Sequence, residues 1–144
     1  MSIKDMSSNS PEAASTSPGR DEETIDYDGT MQANLTRVFG ERDASRRLVA
    51  IRELYDECAK LHEPQASVQG HDAISQAVTE LLAQLPTQFV FTAIRPALGH
   101  NGIGRLQWKA GPPGGPIAVT GIDVAHIEKG VIKSLHVFLD QPGT

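Results

Sequence analysis

The sequence predicts an α+β fold, with helices first and an antiparallel sheet last. Three observations predict it. Between Leu35 and Leu85 the apolar residues recur at three- and four-residue spacing. From Phe89 onward the spacing falls to two, and β-branched and aromatic residues take over. Turn signals, among them Gly99-His100-Asn101-Gly102 and Glu128-Lys129-Gly130, then divide the second half into strands.

The elements follow in order. Met1 to Thr30 is rich in Ser, Pro, Glu and Asp and has no apolar period, so residues 1–30 are expected to form a disordered tail before one domain over residues 31–141. This opening stretch has no apolar central run of the kind a signal peptide needs, and no segment approaches membrane-spanning length. A cytoplasmic protein with no membrane partner is expected. Leu35, Val38 and Phe39 share one face of a short helix ending at Gly40. Asp43 caps a second helix, Ala44 to about Cys58, with Leu48, Ile51, Leu54, Tyr55 and Cys58 inward. Lys60 to Glu63 is extended or irregular, because Pro64 follows. Asp72 opens a third helix that buries Ile74, Val78, Leu81, Leu82 and Leu85. Phe89 to Leu98 reads as a strand, and the Asn101-Gly102 turn joins it to Ile103–Ala110. There Leu106, Trp108 and Ala110 face one way and Arg105, Gln107 and Lys109 the other. Ile117–Ile127 and Val131–Leu139 complete a meander of four long strands.

Composition excludes several functions. The formal net charge is −5, and Asp21, Glu22, Glu23, Asp26 and Asp28 contribute that much. The folded part is near neutral and has no basic stripe, so no nucleic-acid partner is expected. Arg42, Arg46, Arg47 and Arg52 alternate with acids at helical spacing and read as a solvated helix face. Cys58 is the single cysteine, which rules out an internal disulfide and a cysteine-based zinc cage; a packed thiol is expected. The five histidines lack ligand spacing, and the glycine runs sit in hairpin loops rather than at a strand-to-helix junction. No metal and no cofactor is expected.

Asp123 stands alone in the apolar strand Gly121-Ile122-Asp123-Val124. A bare carboxylate there needs a partner, water or a proton, so it is the leading candidate for chemistry. Glu63 is a second acid that could share a cavity with it, and Tyr55 and Trp108 are aromatics with a polar atom to satisfy. The last strand is apolar on both faces, with Leu135, Val137 and Leu139 on one and Ile132 and Phe138 on the other. Burying both faces needs a second cover, and another copy of the sheet supplies it. A homodimer through the outer sheet face is expected.

The order of these motifs resembles the SnoaL-like branch of the nuclear transport factor 2-like (cystatin-like α+β) superfamily, over roughly residues 31–140. The matching stretches are Leu54-Tyr55-Asp56-Glu57-Cys58-Ala59 through Glu63-Pro64, Gly70-His71-Asp72-Ala73-Ile74, and Gly121-Ile122-Asp123-Val124 with Gly130-Val131-Ile132. The resemblance implies three helices packed on a strongly curved antiparallel sheet, forming a cone with an apolar cavity. Tyr55, Leu106, Trp108, Leu135, Val137 and Leu139 would line that cavity, and a small apolar molecule would occupy it. The nearest enzyme pattern is ketosteroid isomerase, matched by His100-Asn101-Gly102 and Ile122-Asp123-Val124. In that family the strand acid stays protonated and donates a hydrogen bond to a developing oxyanion. The proton-shuttling acid falls on Glu63 before Pro64, and the aromatic of the cavity falls on Trp108. The match is incomplete. The first helix carries Leu35, Thr36, Val38 and Phe39 where that enzyme has its oxyanion tyrosine, and glutamate stands in for the aspartate base. Acid-base chemistry of the isomerase, cyclase or hydrolase type is therefore one implied function. A non-catalytic dimeric ligand-binding or protein-interaction domain is the other.

Overall fold

Capping and turn chemistry set the boundaries of the elements. The computed structural model describes residues 24–140. Helix α1 (Tyr27–Ala33) starts at Asp26, whose carboxylate accepts from the Gly29 amide. It runs directly into one wide π-helical stretch, Asn34–Phe39, closed by the Gly40 amide donating to the Leu35 carbonyl at 2.9 Å. Part of the stretch expected to be tail is structured: residues 27–30 are helical, while residues 1–23 lie outside the described residues. Asp43 caps α2 (Ala44–Leu54) through the amides of Ser45 and Arg46, as its sequence position predicts. Helix α3 is His71–Ala83.

Strands β1 (Tyr55–Glu63) and β2 (Ala66–Gln69) pair as a hairpin across the Pro64-Gln65 turn. The expected helix to Cys58 is corrected here: α2 stops at Leu54, and Tyr55 is already extended, with φ −114° and ψ 143°. Tyr55, Ala59 and Leu61 are buried at odd positions, and the last strand, through Ile132 and Ser134 to His136, supplies the ladder that wins over the helical pattern. Cys58 is correspondingly exposed rather than packed.

The strand expected over Phe89–Leu98 is two short ones, β3 (Val90–Ala93) and β4 (Leu98–His100). Pro96 lies between them and has no amide for a ladder, and the Ala97 amide turns to Asp28 Oδ1 instead, at 2.8 Å. Both short strands pair with β5 (Ile103–Gly111). Strands β5, β6 (Val119–Glu128) and β7 (Val131–Asp140) form the expected antiparallel meander. Two tight turns join its neighbours, with positive φ at Asn101 and Gly102 and again at Lys129 and Gly130. The sheet order is β2-β1-β7-β6-β5-β3, and β1 runs parallel to β7. The curved, unclosed sheet is therefore mixed rather than purely antiparallel.

The helices cover one face. Met31, Leu35, Val38, Ile51, Ile74 and Val78 pack against Leu61, Leu106, Ala125, Ile127 and Leu135. A register shift between His126 and Ile127 places an extra residue in β7, so Ile132 and Leu135 both point into this core. Ile132 was expected on the outer face with Phe138; the bulge moves it inside. Arg47 corrects a second expectation. It is fully buried, not on a solvated face, and its guanidinium donates to the Glu41 carbonyl at 2.7 Å, to Ser75 and to Thr79. Arg42 stays exposed, as expected, but is tied down by donating to the carbonyls of Leu82, Leu85 and Pro86 at the end of α3.

Candidate functional site

The site is built where the inner face of the meander meets the π-helical stretch and α3. Asp123 lies on β6 opposite Leu106 of β5 and Val137 of β7, and is 3% exposed. The Trp108 indole reaches diagonally across the ladder, and its Nε1–H donates to Asp123 Oδ1 at 2.9 Å. The second carboxylate oxygen has no protein partner among the described residues. Burial pushes the carboxyl up to about 7, against the lowering pull of the Trp108 hydrogen bond. The group therefore exchanges a proton near neutrality.

Gly121 makes this geometry possible. It is the cross-strand partner of Trp108, and a Cβ placed on it would stand 2.3 Å from Trp108 Cζ2. The indole lies over this bare backbone and leans on Phe91, with ring centroids 5.6 Å apart. Gly121 and Phe91 were not foreseen as site residues. A glycine two residues before the strand acid was legible, but its pairing with Trp108 depends on the β5–β6 register.

Glu63 ends β1. His62 pairs with His136, and Asp123 pairs with Val137, the next residue of β7. Glu63 and Asp123 therefore sit on one inner row, two strands apart, with about 10 Å between their Cα positions from ladder spacing alone. Glu63 is half-buried and has no hydrogen-bond or ion-pair partner among the described residues; desolvation, and then the charge of Glu80, raises its carboxyl.

Both acids line a pocket of about 620 Å³. Its walls are Leu35 and Phe39 of the π-helical stretch, Leu81 and Leu85 around the end of α3, and Phe91, Trp108, Val137 and Leu139 of the sheet. Of the residues expected to line a cavity, Trp108, Val137 and Leu139 do so. Tyr55, Leu106 and Leu135 instead belong to the solid core. Leu135 pairs with Ala125, one row deeper than Asp123. The Tyr55 phenol turns toward α1's continuation and donates to Asn34 Oδ1 at 2.6 Å. Burial, and then the charges of Asp123 and Glu63, hold its proton on. A larger, more open depression of about 830 Å³ lies at the other end of the sheet, by Tyr27, His100 and Lys129. It contains no buried titratable group. Among the described residues, no group of three His, Cys, Asp or Glu gathers as a metal-ligand set, and no helix is long and apolar enough to cross a membrane.

The fold recurs in solved structures. A candidate isomerase of the SnoaL-like family from Agrobacterium tumefaciens aligns with TM-score 0.73 and 23% identity, over 79% of this chain and 97% of that one. A candidate SnoaL-like polyketide cyclase from Jannaschia aligns with TM-score 0.63 and 13% identity, over 89% and 92%. A candidate ketosteroid isomerase from Kribbella flavida aligns with TM-score 0.61 and 12% identity, over 82% and 80%. At these identities the likeness is one of fold. No curated protein matches in sequence. The SnoaL-like domain pattern itself matches residues 35–135, from the π-helical stretch into the last strand, and by that match the chain belongs to the SnoaL-like domain family.

Proposed function

We propose that the protein binds a small, mostly apolar molecule in the pocket above Asp123 and performs cofactor-free acid-base chemistry on it. Asp123 is the proton-transferring group and Glu63 the second carboxylate. The observation that supports this reading is a buried acid, titrating at about 7, with one oxygen unbonded at the floor of an apolar pocket. The pocket volume suits a small-molecule site, roughly 300–1,000 Å³. Proton transfer by Asp123 to or from a bound carbon or oxygen would serve isomerisation or cyclisation, as the names of the structural neighbours suggest for those proteins, and water addition equally. The test is native mass spectrometry of the purified protein for a retained ligand, followed by turnover assays on enones, epoxides and polyketide-like aldol substrates. Turnover lost in Asp123→Asn supports the reading; turnover retained there removes Asp123 from the chemistry.

A second reading has its own support. Among the described residues no phenol lines the pocket, Tyr55 is committed to Asn34, and Asp123 is the one fully buried acid of the lining. A non-catalytic ligand-binding domain accounts for this, and substrate turnover decides between the two. With either reading we propose a homodimer through the outer sheet face, where Phe138 is 56% exposed beside Ile122.

A further inference from the structure

We infer that the pocket selects molecules with an apolar body and a basic amine, held as an ammonium between Glu63 and Glu80 at the rim. This rests on the proposed binding role of the pocket and specifies its ligand. Every formally charged side chain lining the pocket is acidic: Glu63, Glu80 and Asp123. No Lys, Arg or His among the described residues lines it. The remaining polar rim, Gln65 and Gln84, is neutral.

Glu63 and Glu80 come from different elements, the end of β1 and the last turns of α3. Glu80 accepts from Gln76 at 3.1 Å, whereas Glu63 has no partner among the described residues. Desolvation raises the Glu63 carboxyl first, and the like charge of Glu80 raises it further. A cation placed between them relieves the repulsion and supplies the missing partner, while the walls of Leu35, Phe39, Leu81 and Trp108 take up apolar surface. At the floor, the almost fully buried Asp123 lines the same pocket, with one oxygen held by Trp108 and the other without a protein partner among the described residues. That buried acid is independent of the rim pair, and it too disfavours an anion. A carboxylate-bearing ligand would meet three acids and no counter-charge. Glu80 is then a specificity-determining residue outside the acid-base pair.

Isothermal titration calorimetry on the full chain, with phenylbutylamine, phenylbutanol and phenylbutyrate, tests this at about pH 8, where a free carboxyl is ionised. The amine is expected to bind about tenfold more tightly than the alcohol, and the carboxylate not measurably. The preference should shrink in high salt, and in Glu80→Gln the amine-to-alcohol ratio should fall toward one. Folding of the variant is checked by its near-UV circular dichroism. Equal binding of amine and alcohol overturns the charge selection and leaves the apolar-pocket reading standing. An unchanged ratio in folded Glu80→Gln overturns the placement at the rim. Binding of none of the three overturns both the selection and the binding role.

Discussion

At Asp123 desolvation outweighs one hydrogen bond and ties folding stability to pH. Its folded pKa, about 7, lies above the ordinary carboxyl value. The folded state therefore holds a proton that the unfolded chain has released. Stability is fullest below the ordinary value of about 4 and is lost as pH rises toward 7, because ν of the unfolded state is the smaller. Asp123→Asn removes this loss. Chemical denaturation at about pH 8 should show the variant more stable than the parent, by up to about 4 kcal/mol. Near pH 4 the two should coincide to within about 1 kcal/mol. Equal stabilities at both values would place the carboxylate in water. Trp108→Phe keeps most of the ring and deletes the donor, so the Asp123 pKa should climb further, by roughly one unit, in a carboxyl-carbon NMR titration. Asp123 and Trp108 were legible in the sequence as residues of interest, since an acid in an apolar strand and a lone Trp each demand a partner. That they are each other's partner was not, because only the β5–β6 register sets Trp108 one diagonal from Asp123.

At the scale of elements, boundaries with their own local chemistry were readable, and those fixed by distant pairing were not. The Asp43 cap and the Asn101-Gly102 turn need only neighbouring residues, and both stand where the sequence puts them. Strand β1 continues the three-four rhythm of α2 through Leu54, Tyr55 and Cys58, and its true identity comes from β7, some seventy-five residues on. Arg47 was hidden for the same reason, since its acceptors lie on α3 and at Glu41. A guanidinium buried without a carboxylate contact, its own proton affinity lowered by that burial, depends on those acceptors. Arg47→Ala is expected to cost about 3 kcal/mol in urea unfolding, through the cavity and the stranded carbonyls. Gly121→Ala tests the β5–β6 fit that seats the indole. The added Cβ has backbone as well as Trp108 against it, so the expected loss is about 1–3 kcal/mol. A shifted Trp108 indole resonance should accompany it.

At the scale of the whole molecule, the sheet has one face closed by helices and one face open. The open face carries Leu98, Ile103 and Phe138 among its exposed residues, with Ile122 and Val124 partly exposed between them. Polar groups interleave with them: His62 and His136 stack at 4.4 Å on adjacent strands β1 and β7, and Arg105 and Gln107 of β5 pair with Val124 and Ile122. In the proposed dimer a two-fold arrangement would let the apolar groups of this face cover those of its twin. Phe138, 56% exposed, pairs with Ile122 on this face and points away from the pocket. Phe138→Glu should therefore convert a dimer to a monomer, seen by multi-angle light scattering at tens of micromolar, while the Asp123 carboxyl still titrates at about 7. A parent chain that is monomeric at that concentration defeats the proposed assembly and leaves the pocket chemistry on the opposite face untouched.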